Sequence, residues 1–449
     1  MALASPAFSS DGEGEGPVIH DDEMTVQVVF EGLKFPTSMA FLGPDDILVL
    51  EKNEGTVKRI VNGEMLPEPL LEVDVSSISE RGMLGIAIAK DETAHAFPYV
   101  FLYYTRPSAS TDSNEDDEDD EDDEDDEDVE LDARNYLYRY ELINNKLVNP
   151  ELLLRLPSLS QVAHNGGVLI IGPDNNLYVS TGSVAADTPK SESDNTKSQN
   201  INDGPDPDGR GGILRLSQDG EAILQEDGED YILGSEYPLN LYYAYGIRNS
   251  FGMDFDPASG FLWDTENGAT RMDEINLIKA GFNSGWRQVM GLSSMNNEFD
   301  PDQLVGFDGK GKYDDPELVM SRSVGLTALK FLNSNSYGQE YQNDMFVSDF
   351  HNGNIYSFSL NKDRTQLELN GQLQGKVAST MEDLQDVLFG EGFGGITDLE
   401  VGPDGYLYVL SLHQGGGNCS VDEMLSSDNC VAYASDIQGK VFKIVPKID

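Results

Sequence analysis

Residues 172–180 read GPDNNLYVS, and residues 211–216 read GGILRL. The first stretch is a turn feeding a strand. Pro presets φ, and the Asp-Asn pair accepts a tight bend ahead of a β-prone run. The second is a strand of the type Gly-x-aliphatic-x-basic-aliphatic. The same two pieces recur as GPDDILVL at 43–50 with GTVKRI at 55–60, and as GPDGYLYVL at 402–410 with GKVFKI at 439–444. Three looser copies fill the intervals: FPYVFLYYT with NYLYRYEL, DPASGFLWDT with DEINLI, and NDMFVSDF with GNIYSFSL. Strand pairs repeated along a chain, with no long helical period between them, mark radial repetition. The expected fold class is all-β, a six-bladed β-propeller over residues 25–449, with the uneven spacing taken up by long insertions. Residues 1–24 read as a tail or the remnant of a signal peptide.

Composition agrees. A chain of 449 residues exceeds an ordinary compact domain, but a propeller grows its core blade by blade. Its 45 glycines, with abundant Tyr, Phe, Val and Ile, suit short strands and tight turns. No apolar run approaches the roughly eighteen residues of a membrane span. The net charge is −52, of which the run EDDEDDEDDEDDED at 115–128 supplies fourteen acids and no base. Such a block repels itself, so residues 112–132 read as a solvated insertion at a hairpin tip, with a calcium-concentrating or partner-binding tail as the competing reading. The remaining acidity excludes nucleic acid as a partner, because phosphate is repelled. Two cysteines, Cys419 and Cys430, bracket one loop and are close enough to bridge in an oxidising compartment. MALASPAFSS at the N-terminus has no basic n-region, but its Ala-x-Ala site at Ala2–Ala4 points to an extracytoplasmic or secreted protein.

In a propeller, functional groups converge from several blades on one end of the central channel. His164, one of five histidines, stands in HNGG at a strand entrance beside Asn165 and two glycines, and is a candidate general base because its pKa lies near neutrality. Residues 243–291 contain GIRN, TENG followed by DEINLI, and FNSGW. With HNGG, and in this order and spacing, these pieces make the chain similar to the glucose/sorbosone dehydrogenase family, six-bladed propellers related to soluble quinoprotein aldose dehydrogenases. The resemblance runs from GLKFPTSMAF at 32–41 to GKVFKI at 439–444.

The resemblance implies oxidation of a small-molecule sugar with hydride transfer to pyrroloquinoline quinone (PQQ), assisted by Ca²⁺. It gives His164 the base that takes the sugar's hydroxyl proton. Arg248 and Asn249 match a pair contacting the quinone oxygens, with Arg248 stabilising developing negative charge. Asn267 and Asp273 are expected beside the cofactor. Gly268 and Ala269 are expected to offer backbone carbonyls to calcium, which takes hard oxygen ligands. Ala269 stands where the family usually has Pro. Glu274, Ser284 (through its carbonyl) and Glu317 resemble a separate structural calcium site.

The departures are as informative. Quinoprotein members place a Lys in the stretch that here reads VSDFHNGNIYSF, near His351, and two arginines where this chain has Gly395 and Thr397. PQQ is a tricarboxylate, and each lost charge-assisted bond removes on the order of 1.5–3 kcal/mol. Arg271, Arg322 and Lys330 are the cations available to substitute. The competing reading is therefore a calcium-bearing propeller that has lost PQQ and binds a carbohydrate or protein. A metal-dependent lactonase is a third, fold-level analogy resting on Glu266. NDGPDPDGRGG at 202–212 loosely echoes a calcium loop but reads better as an exposed turn, since it lacks EF-hand spacing.

Overall fold

The computed structural model describes residues 16–89, 97–107, 133–158, 162–184, 195–225, 228, 230–412 and 439–447. The acidic run, Cys419, Cys430 and the N-terminal MALASPAFSS lie outside the described residues. Within them the protein is an all-β propeller, its strands arranged in six sheets. Each of the six strand pairs expected from the sequence forms, one pair in each sheet: for example Leu177–Thr181 with Gly212–Leu216, and Tyr99–Pro107 with Ala133–Ile143.

The turn chemistry explains the repeat. The chain turns through positive φ at Asp45, Asn175 and Gly405, the left-handed region that Asp, Asn and Gly tolerate. An aspartate of each turn pairs with the basic residue of the closing strand: Asp46 with Arg59 (2.6 Å), Asp174 with Arg215 (2.8 Å) and Asp404 with Lys443 (2.6 Å). The basic position of the motif is thus a clamp between turn and strand. In two copies a tyrosine hydroxyl donates to the same carboxylate, Tyr178 to Asp174 and Tyr408 to Asp404.

The innermost strands are Pro36–Gly43, Met83–Ile88, Leu169–Ile171, Ser250–Phe255, Leu326–Phe331 and Ile396–Val401, and each touches the next around a closed ring. Apolar side chains fill the wedge between every pair of neighbouring sheets. Trp263 and Ile275 pack on Met345 and Tyr356, and Leu48 and Val57 pack on Val100 and Leu102. Burial therefore accumulates by addition around the ring. The ring is closed by the chain's two ends, since Met24–Leu33 pairs antiparallel with Gly439–Pro446. The tail drawn to residue 24 ends sooner than expected. Val18–Ile19 already pairs with Leu388–Glu391, because an edge backbone gains a ladder there. Among the described residues no helix is long and apolar enough to cross a membrane.

Candidate active site

All six innermost strands contribute to one cavity of about 450 Å³ on the axis of the ring. His164, Arg248, Asn249, Asn267, Gly268 and Ala269 line it, so six of the expected residues, drawn from loops far apart in sequence, come together.

His164 is placed by its loop. The HNGG segment runs through positive φ at His164 (61°), Gly166 (64°) and Gly167 (118°), which makes the glycines obligatory. Gly182 lies across from it, where an added Cβ would stand 2.0 Å from the His164 carbonyl oxygen. The imidazole is buried, with Nδ1 3.3 Å from Ser183 Oγ. The His164 N–H donates to Glu80 Oε2 at 2.6 Å, and Asn249 Nδ2 donates to the same oxygen at 3.2 Å. Asn249 also accepts from Gly166 N–H through Oδ1 (3.1 Å), so it ties the HNGG and GIRN loops together. Burial pushes the Glu80 carboxyl up from its usual range, against the pull of these donors.

Arg248 is fixed from behind. Its backbone N–H donates to Glu266 Oε1 at 2.6 Å, and its guanidinium lies 5.5 Å from the Trp286 ring centroid. Nη1 donates to the carbonyls of Asn267 (2.8 Å) and Gly268 (3.1 Å). The FNSGW and TENG motifs thus support the arginine: Glu266 also accepts from Ser284 Oγ at 2.6 Å, and burial pushes its carboxyl up to about 7. Glu266 is fully buried and does not line the cavity, which removes the group on which a lactonase would rest.

The other expected residues lie outside the cavity wall or are engaged within the protein. Asp273 does not line the cavity. It sits behind the wall and accepts from Gly268 N–H (3.0 Å), Ser323 Oγ (2.8 Å), Val324 N–H (2.9 Å) and Gly325 N–H (2.9 Å), so it locks two cavity loops. The carbonyl of Gly268, expected to face calcium, accepts one bond from the Arg248 guanidinium. The Ser284 hydroxyl lies 3.5 Å from Glu274, Glu274 also accepts Gly291 N–H, and Glu317 pairs with Lys376 at 3.0 Å. Among the described residues no group of three or more His, Cys, Asp or Glu is arranged to hold a metal ion. In the 202–212 stretch, Asp206 pairs with Lys197 and Asp208 with Arg210, as befits a turn.

The cavity also contains groups that sequence reasoning missed: Lys52, Glu80, Asp398 and Glu400. His351 lines it where the family has Lys, and Thr397 lines it where the family has Arg. Of the three substitute cations, Arg271 and Arg322 are exposed and do not line the cavity. Lys330 does, but it is committed to Glu400 (2.9 Å) and Asp254 (3.8 Å). Glu80 and His164 stand at equivalent places, each a few residues before an innermost strand, and that shared register was the available signal.

Known proteins share this architecture. The aldose sugar dehydrogenase YliI of Escherichia coli is 23% identical over 398 residues, covering 88% of this chain and 91% of its own. The quinoprotein glucose dehydrogenase B of Acinetobacter calcoaceticus is 28% identical over 283 residues, 59% of this chain and 52% of its own. The PQQ-bound aldose sugar dehydrogenase of Streptomyces coelicolor superposes with a TM-score of 0.59 at 22% identity, over 94% of this chain and 99% of that one, a likeness of fold. The profile described as Glucose / Sorbosone dehydrogenase matches residues 33–419, and the chain therefore belongs to that family.

Proposed function

We propose that this chain is a sugar dehydrogenase that oxidises a hydroxyl of an aldose bound in the axial cavity, with each of the six sheets serving as one blade. The observation that carries this reading is the convergence of His164, Arg248 and Asn249 on one wall. His164 is the base for the sugar hydroxyl proton, a role in which imidazole contributes about 10²–10⁴-fold. Arg248 offers a fixed positive charge where negative charge develops, preorganised by Glu266, Trp286 and two carbonyls.

The cavity fits a quinone of the PQQ class at this end. Asn267 Oδ1 is buried without a hydrogen-bond partner, an acceptor suited to a ligand N–H or O–H. Bound there, a quinone would supply the hydride acceptor, and Arg248, Asn249 and Asn267 would hold it. No step of this mechanism is routed through calcium.

The test is a calorimetric titration of the purified protein with PQQ, paired with aldose-dependent dye reduction. Saturable binding with turnover is expected. His164→Asn, which suits the positive φ, should bind PQQ as the wild type does and turn over at least about 100-fold more slowly. Absence of binding at about 100 μM, a Kd worth only some 5–6 kcal/mol, would remove the quinoprotein reading.

A further inference from the structure

We propose that Lys52 is the anion-binding cation of the axial cavity, and that a carboxylate of the bound cofactor sits against its Nζ; this rests on the quinoprotein reading above.

Lys52 follows the strand Asp46–Glu51 and lines the cavity with only 8% of its surface exposed. Its stem is held in place. Its N–H donates to Phe35 O at 2.9 Å, and its carbonyl accepts Met83 N–H at 3.0 Å. Gly82, at φ 139°, leaves room for the stem, since a Cβ there would lie 2.6 Å from Lys52 Cγ.

The charged end is the informative part. Nζ donates to Asn53 Oδ1 (2.8 Å) and Ser77 O (3.1 Å), both neutral acceptors. An ammonium has three donors, so one remains after these two bonds. A buried ammonium is costly unless an anion accompanies it. Burial lowers its pKa to about 8, with the attraction of Glu80 opposing the shift. Glu80 is already committed to His164 and Asn249. Lys330 is the contrasting case, tied to Glu400 and Asp254. Arg248 is spent on two carbonyls. The cation that the family keeps near His351 or Thr397 is thus supplied here from the loop after the strand Asp46–Glu51.

The experiment compares wild type, Lys52→Gln and Lys52→Arg in calorimetric titrations with PQQ and with its uncharged trimethyl ester. Wild type should prefer the acid over the ester. Lys52→Gln should weaken acid binding at least about tenfold, as expected for one charge-assisted bond, and leave ester binding within about threefold. Lys52→Arg should retain most of the affinity. Equal acid binding by wild type and Lys52→Gln, or a loss shared equally by acid and ester, overturns the assignment while the quinoprotein reading stands. A wild type that binds neither compound overturns both. The acid-to-ester ratio does not depend on the folded fraction, and Lys52→Met provides a second neutral variant.

Discussion

Glu80 receives the backbone N–H of His164 at 2.6 Å through the same oxygen that accepts Asn249 Nδ2 at 3.2 Å. One carboxylate oxygen thereby fixes His164 and Asn249 relative to each other. The three residues come from three different sheets' entrance loops. Glutamine keeps an acceptor oxygen at this place and alanine does not. Glu80→Gln should retain turnover within about tenfold, whereas Glu80→Ala should lose about two orders of magnitude in kcat as the geometry slackens. Steady-state dye reduction decides it. A Gln variant as impaired as the Ala variant would show that the charge matters rather than the acceptor.

Asp273 is the fastener behind the wall. Removing it leaves three loop N–H groups and the Ser323 hydroxyl without their acceptor. Asp273→Ala should lower stability by about 3 kcal/mol or more and loosen the 267–269 loop, with Asp273→Asn intermediate. Urea unfolding measures the loss. An unchanged midpoint would show that the loops hold themselves.

Asp398 gives the stability a pH dependence. Burial and the neighbouring Glu400 push its carboxyl up to about 7. In the unfolded chain the same group ionises at about 3.9. Its contribution is therefore complete below about pH 4 and is lost as pH rises through about 7. Asp398→Asn keeps an acceptor for Met39 N–H and Ser38 Oγ but cannot ionise. Its unfolding midpoint should gain on that of wild type between about pH 4 and 7 and the gap should level off above that. A gap that stays constant across this range would contradict the assignment.

The acidic insertion should be dispensable for the fold. Ala133 pairs directly with Pro107, so the two strands already meet where the insertion begins and ends. Replacing residues 112–132 by a short Gly/Ser linker should change Tm by about 2 °C or less and leave turnover intact, because loop length enters closure entropy only logarithmically. A fall of many degrees in a thermal melt would show that the run contributes bound contacts.

The repeat GPD…Gly-x-aliphatic-x-basic was enough to place the strand pairs, because the turn, the alternation and the clamp from Asp174 to Arg215 are all local in sequence. HNGG, GIRN and TENG were equally legible, since their order and spacing resemble the glucose/sorbosone dehydrogenase family, and the positive φ at Gly166 and Gly167 suits the two glycines. Lys52, Glu80 and Asp398 were not legible. A lysine after a strand, or an acid before one, is ordinarily a solvated surface group, and only the closed ring of innermost strands turns these inward to a common axis. The same closure placed Asp273 behind the cavity wall, where it holds two loops, and brought the Arg248 guanidinium onto the Gly268 carbonyl. Local chemistry follows from neighbours in the chain. Which charges are buried together, and which cation is left over for a ligand, follows from neighbours in space.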